Sequence, residues 1–365
     1  MNKRIALSSP IVGEQEKAAV MSVLDSGMLV QGPRTAMLEA NFAAVVGTRH
    51  AVAFSSGTTA LHAALLAHGI GAGDEVITSP FTFVASVNSV IYTGATPVFC
   101  DVSAETFNLD VRLLKNLLTR RTKAIMPVHL YGMACDMNEI LAFAAEHQLV
   151  VIEDCAQSIG ARYGDRMTGS MGTGCFSLYA TKNVMSAEGG MITTNDDAIA
   201  DAAKLLRAHG SRRRYYHEML GFNFRMTDLH AAIGVVQLGR CQEFTEKRRH
   251  NAGRLSSMLT SVRTPVVAPG RDHVWHQYTV RLVGSTAAER DAEVARIEAA
   301  GVGCAVFYPL PANEQQHIKA MGIVSAPTPV AQMLAREVFA LPVHPSLSEE
   351  DLLRVAEVVN ATPVR

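Results

Sequence analysis

The stretch Leu149-Val150-Val151-Ile152-Glu153-Asp154 decides how this chain is read. An apolar run with an acidic end is the pattern of a strand buried on both faces, its last side chain emerging at the carboxyl edge of a sheet. Outward from it come Ala156-Gln157-Ser158, a glycine-rich passage, and then Cys175-Phe176-Ser177-Leu178-Tyr179-Ala180-Thr181-Lys182-Asn183. A single lysine thus lies just past a short apolar strand, ahead of Gly189-Gly190. A carboxylate (Asp154), a hydroxyl (Ser177) and a lysine (Lys182) at strand ends suit an aldehyde cofactor. The lysine would supply a Schiff base, the aspartate would hold a ring proton, and the serine would touch a phosphate. Each also has a plainer reading: a solvated lysine, a capping aspartate, a strand serine. Their order and company carry the argument.

The rest of the chain alternates. Helices are expected at 13–26, stopped by Gly27, and from Pro33 to Val46, stopped by Gly47. The strand Ala51–Phe54 passes through Ser55-Ser56-Gly57-Thr58-Thr59 into a helix over Ala60–Ala67, which leaves free N–H groups where an anion is stabilised. Taken alone, that stretch reads better as an ordinary serine/threonine N-cap; the anion reading gains from Ser177 as a second phosphate ligand. Strands follow at 75–78, 97–102, 124–128, 149–153, 174–178 and 191–194, with helices near 84–92, 111–118, 137–147 and 198–208. The rhythm predicts an α/β fold, a mostly parallel sheet sandwiched by helices, with ligands outside the strand carboxyl ends. One long helix is expected over 227–259. A strand at 274–282, a helix at 287–300, a strand at 303–307 and helices at 329–339 and 348–360 then make a smaller C-terminal α+β domain. The expected division is 1–240 for the large cofactor-binding domain, including the N-terminal helices, and 241–365 for the small one.

Composition narrows the function classes. With 48% hydrophobic and 18% charged residues the 365-residue chain reads as a globular enzyme, and a net charge of -1 without a basic tract argues against a nucleic-acid partner. No apolar run approaches the ~20 residues of a membrane span. The six scattered cysteines and the absence of a leader at the N-terminus predict reduced thiols in the cytoplasm. Gly69-Ile70-Gly71-Ala72-Gly73 follows a helix and precedes a strand, the reverse of a dinucleotide fingerprint, so it reads as a turn. Neither an H-E-x-x-H pattern nor metal-type Cys/His spacing occurs among the 13 histidines, so no metal is expected.

Several motifs in one order resemble a known family. Asp154-Cys155-Ala156-Gln157, Phe176 to Asn183, Glu188-Gly189-Gly190, Ser55 to Leu61, Pro80-Phe81-Thr82-Phe83 and Gly221-Phe222-Asn223-Phe224-Arg225-Met226-Thr227-Asp228 are similar to the motifs of the nucleotide-sugar aminotransferases. This is the DegT/StrS family of pyridoxal-phosphate enzymes with the aspartate aminotransferase fold, and the resemblance spans essentially the whole chain. It implies Lys182 and Asp154 as catalytic residues and Gly57, Thr58 and Ser177 as phosphate contacts. It further implies Phe83 stacked on the cofactor ring, Gln157 at its phenolic oxygen, and Asn223 or Arg225 reaching the phosphate of a neighbouring subunit. A homodimer with shared sites, L-glutamate as amino donor and a nucleotide-linked keto sugar as acceptor follow as expectations. Asn313 stands where the family usually has a substrate-facing histidine. Rival readings are cyclitol aminotransferases, which share these motifs, and non-catalytic regulators, which carry a DNA-binding segment for which Gly13 at the first helix leaves no room. Sugar dehydratases have histidine in place of the lysine, so Lys182 argues against them.

Overall fold

The computed structural model describes residues 4–361. The chain enters through α1 (Glu14–Ser26) and α2 (Pro33–Val46), which end at Gly27 and Gly47 with φ of 68° and 83°, the left-handed conformation glycine adopts without cost. There follow β1 (His50–Phe54), α3 (Gly57–Ala67), β2 (Glu75–Thr78), α4 (Val84–Tyr92) and β3 (Thr96–Phe99). The expected helix at 111–118 is a 3₁₀ turn over Val111–Leu113 leading into the single-turn α5 (Leu114–Leu117). Then come β4 (Thr122–Met126), α6 (Met137–Glu146) and β5 (Val150–Asp154). A hairpin of β6 (Arg162–Tyr163) and β7 (Arg166–Met167) was not legible in the sequence, since two-residue strands carry no periodicity. The series closes with β8 (Thr173–Ser177), β9 (Gly190–Thr194) and α7 (Asp197–Arg207).

Seven of these strands form one sheet in the order β1-β9-β8-β5-β4-β2-β3, parallel throughout except for β9. Alternation sends Val52 and Phe54 into a core shared with α3 and α7, and Ala51 and Ala53 into one beneath α2. Ile77, Ile125 and Val151 join α6 in a further cluster on the sheet. Helices on both faces leave the carboxyl edge open, and there Ser56, Asp154 and Ser177 meet.

The single helix expected over 227–259 is two, α8 (Asp228–Gly239) and α9 (Cys241–Met258), broken at Arg240 (φ -101°, ψ 6°). Gly239 lowers helix propensity there. The segments also serve different cores: Ala231 and Leu238 pack with α2, whereas Ala252 and Leu255 pack among C-terminal residues. Beyond α9 lie β10 (Arg271–Asp272), β11 (Tyr278–Arg281), α10 (Ala287–Ala299), α11 (Gln316–Ala320), α12 (Pro329–Glu337), β12 (Val338–Leu341) and α13 (Glu349–Asn360). The expected helix over 329–339 ends at Glu337, because Val338-Phe339-Ala340-Leu341 is fully buried and pairs antiparallel with β11. Residues 303–307 form no strand; Ala305 makes an isolated bridge to Ala340. We propose Arg240 as the division between a large unit over 1–240 and a small one over 241–365. Contacts cross it in both directions: Ile5 pairs with Val302 and sits in the C-terminal core, while Ile318 of α11 packs with Val87 and Phe99, and Ala331 and Leu334 of α12 pack with Phe81 and Val128. Among the described residues no helix is long and apolar enough to cross a membrane.

Candidate active site

A cavity of about 570 Å³ opens at the carboxyl edge of the sheet. One wall is the start of α3. Ser56 caps it, its Oγ accepting from Thr59 N at 3.2 Å, and the Gly57 and Thr58 N–H groups have no intrahelical carbonyl to bond. Ser177, the last residue of β8, lies against this turn so closely that a Cβ on Gly57 would fall 2.8 Å from Ser177 Cβ. Helix-start amides, the positive end of the helix dipole and a hydroxyl therefore converge as an anion cradle.

Asp154 ends β5 and is 3% exposed. Its Oδ2 accepts from Ser86 Oγ at 2.7 Å and its Oδ1 from Ala156 N at 3.0 Å. Ser86 is itself bonded to Thr82 Oγ1 at 2.8 Å, so the acceptor end of the carboxylate is held from α4. Burial pushes the Asp154 carboxyl above its usual range, against the pull of Ser86, Ala156 and the Lys182 ammonium. Glu153, one residue earlier, faces the opposite way. Burial alone would raise it too, but His129 and the N–H groups of Gly169 and Gly172 hold it below its ordinary value. The Oε atoms of Glu153 accept from Gly169, Met171 and Gly172 N at 2.7–2.9 Å and meet His129 Nε2 at 3.0 Å. Although His129, Glu153 and Cys155 present buried ligand-type atoms within 4.8 Å of one another, these donors already occupy the carboxylate. The His129 Nδ1 accepts from Cys135 N at 3.0 Å. The group is a brace behind the site.

Lys182 sits in the turn after β8, its N–H bonded to Tyr179 O at 2.9 Å. Burial pulls its ammonium down to about 8, with Asp154 opposing. The next residue ties this turn to the C-terminal unit: Asn183 Nδ2 donates to Val274 O at 2.9 Å, and its Oδ1 lies 3.2 Å from His276 Nδ1. Phe83, at the start of α4, is 56% exposed and tilted 37° from the Tyr308 ring at 6.2 Å. Gln157 is engaged at both ends of its amide, accepting from Tyr131 N at 2.7 Å and donating to the Tyr308 hydroxyl at 3.1 Å.

Lys182, Asp154, Gly57, Thr58, Phe83, Gln157 and Ser177 thus all line one cavity. Asn223 and Arg225 do not. Asn223 is exposed between Phe222 and Phe224, which stack at 4.7 Å and pack inward, and the motif is anchored by Phe224 O accepting from Ser55 N at 2.8 Å. Asn313 lies outside the cavity lining as well, donating to Ser325 Oγ and Thr328 Oγ1 at 3.1 Å each. Sequence reading missed Ser86, Tyr308, His276 and Gln277, which also line the cavity. Ser86 gave no local signal, since it is an ordinary serine in α4 until the fold sets it against Asp154. His276 and Gln277 had none, being brought in by the C-terminal unit.

Comparison with known proteins agrees with this geometry. The model of the DegT/DnrJ/EryC1/StrS aminotransferase family matches residues 10–360. The chain belongs to this family. The aminotransferase is 41% identical to a pleiotropic regulatory protein of Geobacillus stearothermophilus, over 95% of each chain. It is 39% identical to a UDP-N-acetyl-3-dehydro-α-D-glucosamine 3-aminotransferase of Acidithiobacillus ferrooxidans, over 93% of this chain and 91% of the other. Among solved structures it matches the PLP-form of a putative sugar aminotransferase from Streptococcus pneumoniae with a TM-score of 0.93 and 28% identity, over 98% of each.

Proposed function

We propose that this aminotransferase moves the amino group of L-glutamate to the keto carbon of a nucleotide-linked deoxy sugar, for amino-sugar biosynthesis. Glutamate gives up its amino group and leaves as 2-oxoglutarate, whose keto oxygen comes from water; the sugar's C=O becomes CH–NH₂ and its oxygen is released as water, so no water is consumed overall. The observation that carries the reading is Lys182 beside the buried Asp154, in a cavity that also holds the α3 anion cradle. The cofactor is pyridoxal 5′-phosphate, whose aldehyde takes the amino group and whose ring accepts electron density as a C–H bond breaks. The residues present fit it. The Gly57 and Thr58 amides and Ser177 would hold the phosphate, and the absence of a Cβ at Gly57 is what lets the helix start approach Ser177. Asp154, held by Ser86 and Ala156, would face the ring nitrogen and favour its protonated form. Phe83 would cover the ring, and Gln157 retains one amide hydrogen for its oxygen substituent. Lys182, with its ammonium near 8, carries and releases a proton at Nζ near neutral pH.

Asn223, exposed and outside its own cavity, would reach the phosphate of a second copy, making the unit a homodimer. The six buried free cysteines accord with a cytoplasmic setting. The test is mass spectrometry of products from purified protein, glutamate and a panel of nucleotide-linked keto sugars. One sugar should gain an amino group with wild-type protein and none with Lys182→Ala. Turnover retained in Lys182→Ala would overturn the assignment.

A further inference from the structure

Tyr131 is buried and holds φ at 58°, a left-handed conformation that a bulky residue keeps only when its surroundings fix it. They do so from every side. Its N–H donates to Gln157 Oε1 at 2.7 Å, and its C=O accepts from Gln277 N at 3.3 Å. Its hydroxyl donates to Phe307 O, and its ring meets Phe107 edge-on at 5.3 Å. Gln157 comes from the large unit, Gln277 and Phe307 from the C-terminal one, and all three line the cavity. Tyr131 therefore ties the two walls together from behind.

That tie decides which way the hydrogens point. With Oε1 taken by Tyr131, the Gln157 amide presents its two N–H bonds on the other side, and one of them goes to the Tyr308 hydroxyl at 3.1 Å. The Tyr308 oxygen is the acceptor in that bond, and among the described residues nothing accepts its own hydrogen. Its ring stands edge-on to Phe81 at 6.3 Å and 6.2 Å from Phe83, which fixes where the hydroxyl sits. Burial pushes that hydroxyl well above its ordinary range, against the pull of Gln157 and with Asp154 adding to the rise, so it stays protonated and remains a donor. Two unspent hydrogens, one on Gln157 and one on Tyr308, thus sit in the wall that also holds Asp154 and Lys182. Paired donors of this kind match an oxygen that carries negative charge.

We propose that Tyr308 is a second donor, beside Gln157, to the oxygen substituent of the cofactor ring, and that Tyr131 is the positioning residue that holds both donors in place. The inference rests on the cofactor reading above. The cofactor's other anion, its phosphate, is claimed by the α3 cradle at Gly57, Thr58 and Ser177, which leaves the ring oxygen as the acceptor for this pair. A neutral sugar carbonyl would gain less from two donors than an anionic oxygen does. Donors at that oxygen stabilise its negative charge, so the loaded chromophore takes up its proton only at a lower pH. The C-terminal unit, through Tyr308, thereby tunes a cofactor held mainly by the large unit.

The test is a pH titration of the visible absorbance of the holoenzyme, which follows the chromophore's proton without any turnover. Tyr308→Phe keeps the ring against Phe81 and Phe83 and removes only the hydroxyl. Its midpoint should rise by about one to two pH units, the worth of a hydrogen bond to a charged group. Tyr131→Phe keeps the N–H on Gln157 but releases Phe307, and should raise the midpoint by less. Because Tyr131 acts through Tyr308, adding its substitution to Tyr308→Phe should raise the midpoint no further, and an additive shift would overturn its positioning role. A general structural disturbance would lower the melting temperature and leave the midpoint in place. If Tyr308→Phe does not retain cofactor, Tyr131→Phe decides, and an unmoved midpoint there overturns the proposal. Gln157→Ala separates this inference from the reading beneath it. A midpoint raised by Gln157→Ala and unmoved by Tyr308→Phe overturns the second donor alone. One unmoved by every variant overturns the placement of the ring oxygen as well. An unmoved Tyr308→Phe midpoint with a raised KM for the keto sugar would give the hydroxyl to the substrate and overturn the proposal.

Discussion

Glu153 and Asp154 are adjacent carboxylates with opposite fates, because successive strand residues face opposite ways. Glu153 is met by backbone amides and His129 and stays acidic; Asp154 faces a cavity with two donors and is raised. The same burial acts on Lys182 with the opposite sign, since it disfavours whichever form is charged. Its ammonium drops from 10.5 to about 8. Only the neutral amine condenses with an aldehyde, so cofactor-free protein should capture an added aldehyde at Lys182 at a rate that rises roughly tenfold per pH unit below 8 and levels above it. Borohydride trapping with peptide mass spectrometry reads this directly. A rate still climbing through pH 10 would return Lys182 to an ordinary solvated lysine.

Among elements, α2 shows how distant sequence supplies local needs. Its first N–H groups are satisfied by Asp228, nearly two hundred residues away: Oδ1 accepts from Gly32 N, Thr35 N and Thr35 Oγ1 at 2.7–2.9 Å, and Oδ2 from Arg34 N at 2.9 Å. Asp228 belongs to the motif that contains Asn223, and its role is to clamp that motif to the N-terminal helices. Asp228→Ala strips a buried carboxylate from these donors and should cost on the order of 3 kcal/mol in urea unfolding. A loss below about 1 kcal/mol would mean that water replaces the side chain. The end of α12 teaches the complementary lesson. Val338-Phe339 continues a helical run in sequence, but β-branched and aromatic residues pair with β11, and Glu337 is held by Arg281 at 2.7 Å just where the helix stops.

For the whole molecule, the proposed dimer makes a prediction of its own. Lys182 and Asn223 would meet only across two copies, so Lys182→Ala and Asn223→Ala chains damage different halves of each site. Each variant alone should be nearly inactive. Mixed and re-equilibrated at equal amounts, half the dimers are hybrid with one intact site, so activity should recover to roughly a quarter of wild type. A mixture no more active than its two components would place Asn223 outside any shared site.

Sequence by itself determined the alternating α/β order, the strand ending at Asp154 and the cavity residues that follow strands of the sheet. Those features are written locally, in apolar runs, in glycine stops and in motifs a few residues long. Tertiary structure alone decided the reversed direction of β9, the break at Arg240 and the pairing of Ile5 with Val302. It also decided the arrival of Ser86, His276, Gln277 and Tyr308 in the cavity. These are facts about which core a segment joins and which side chains it meets there. No local pattern encodes them, because burial and pairing are properties of what the chain brings together from far apart.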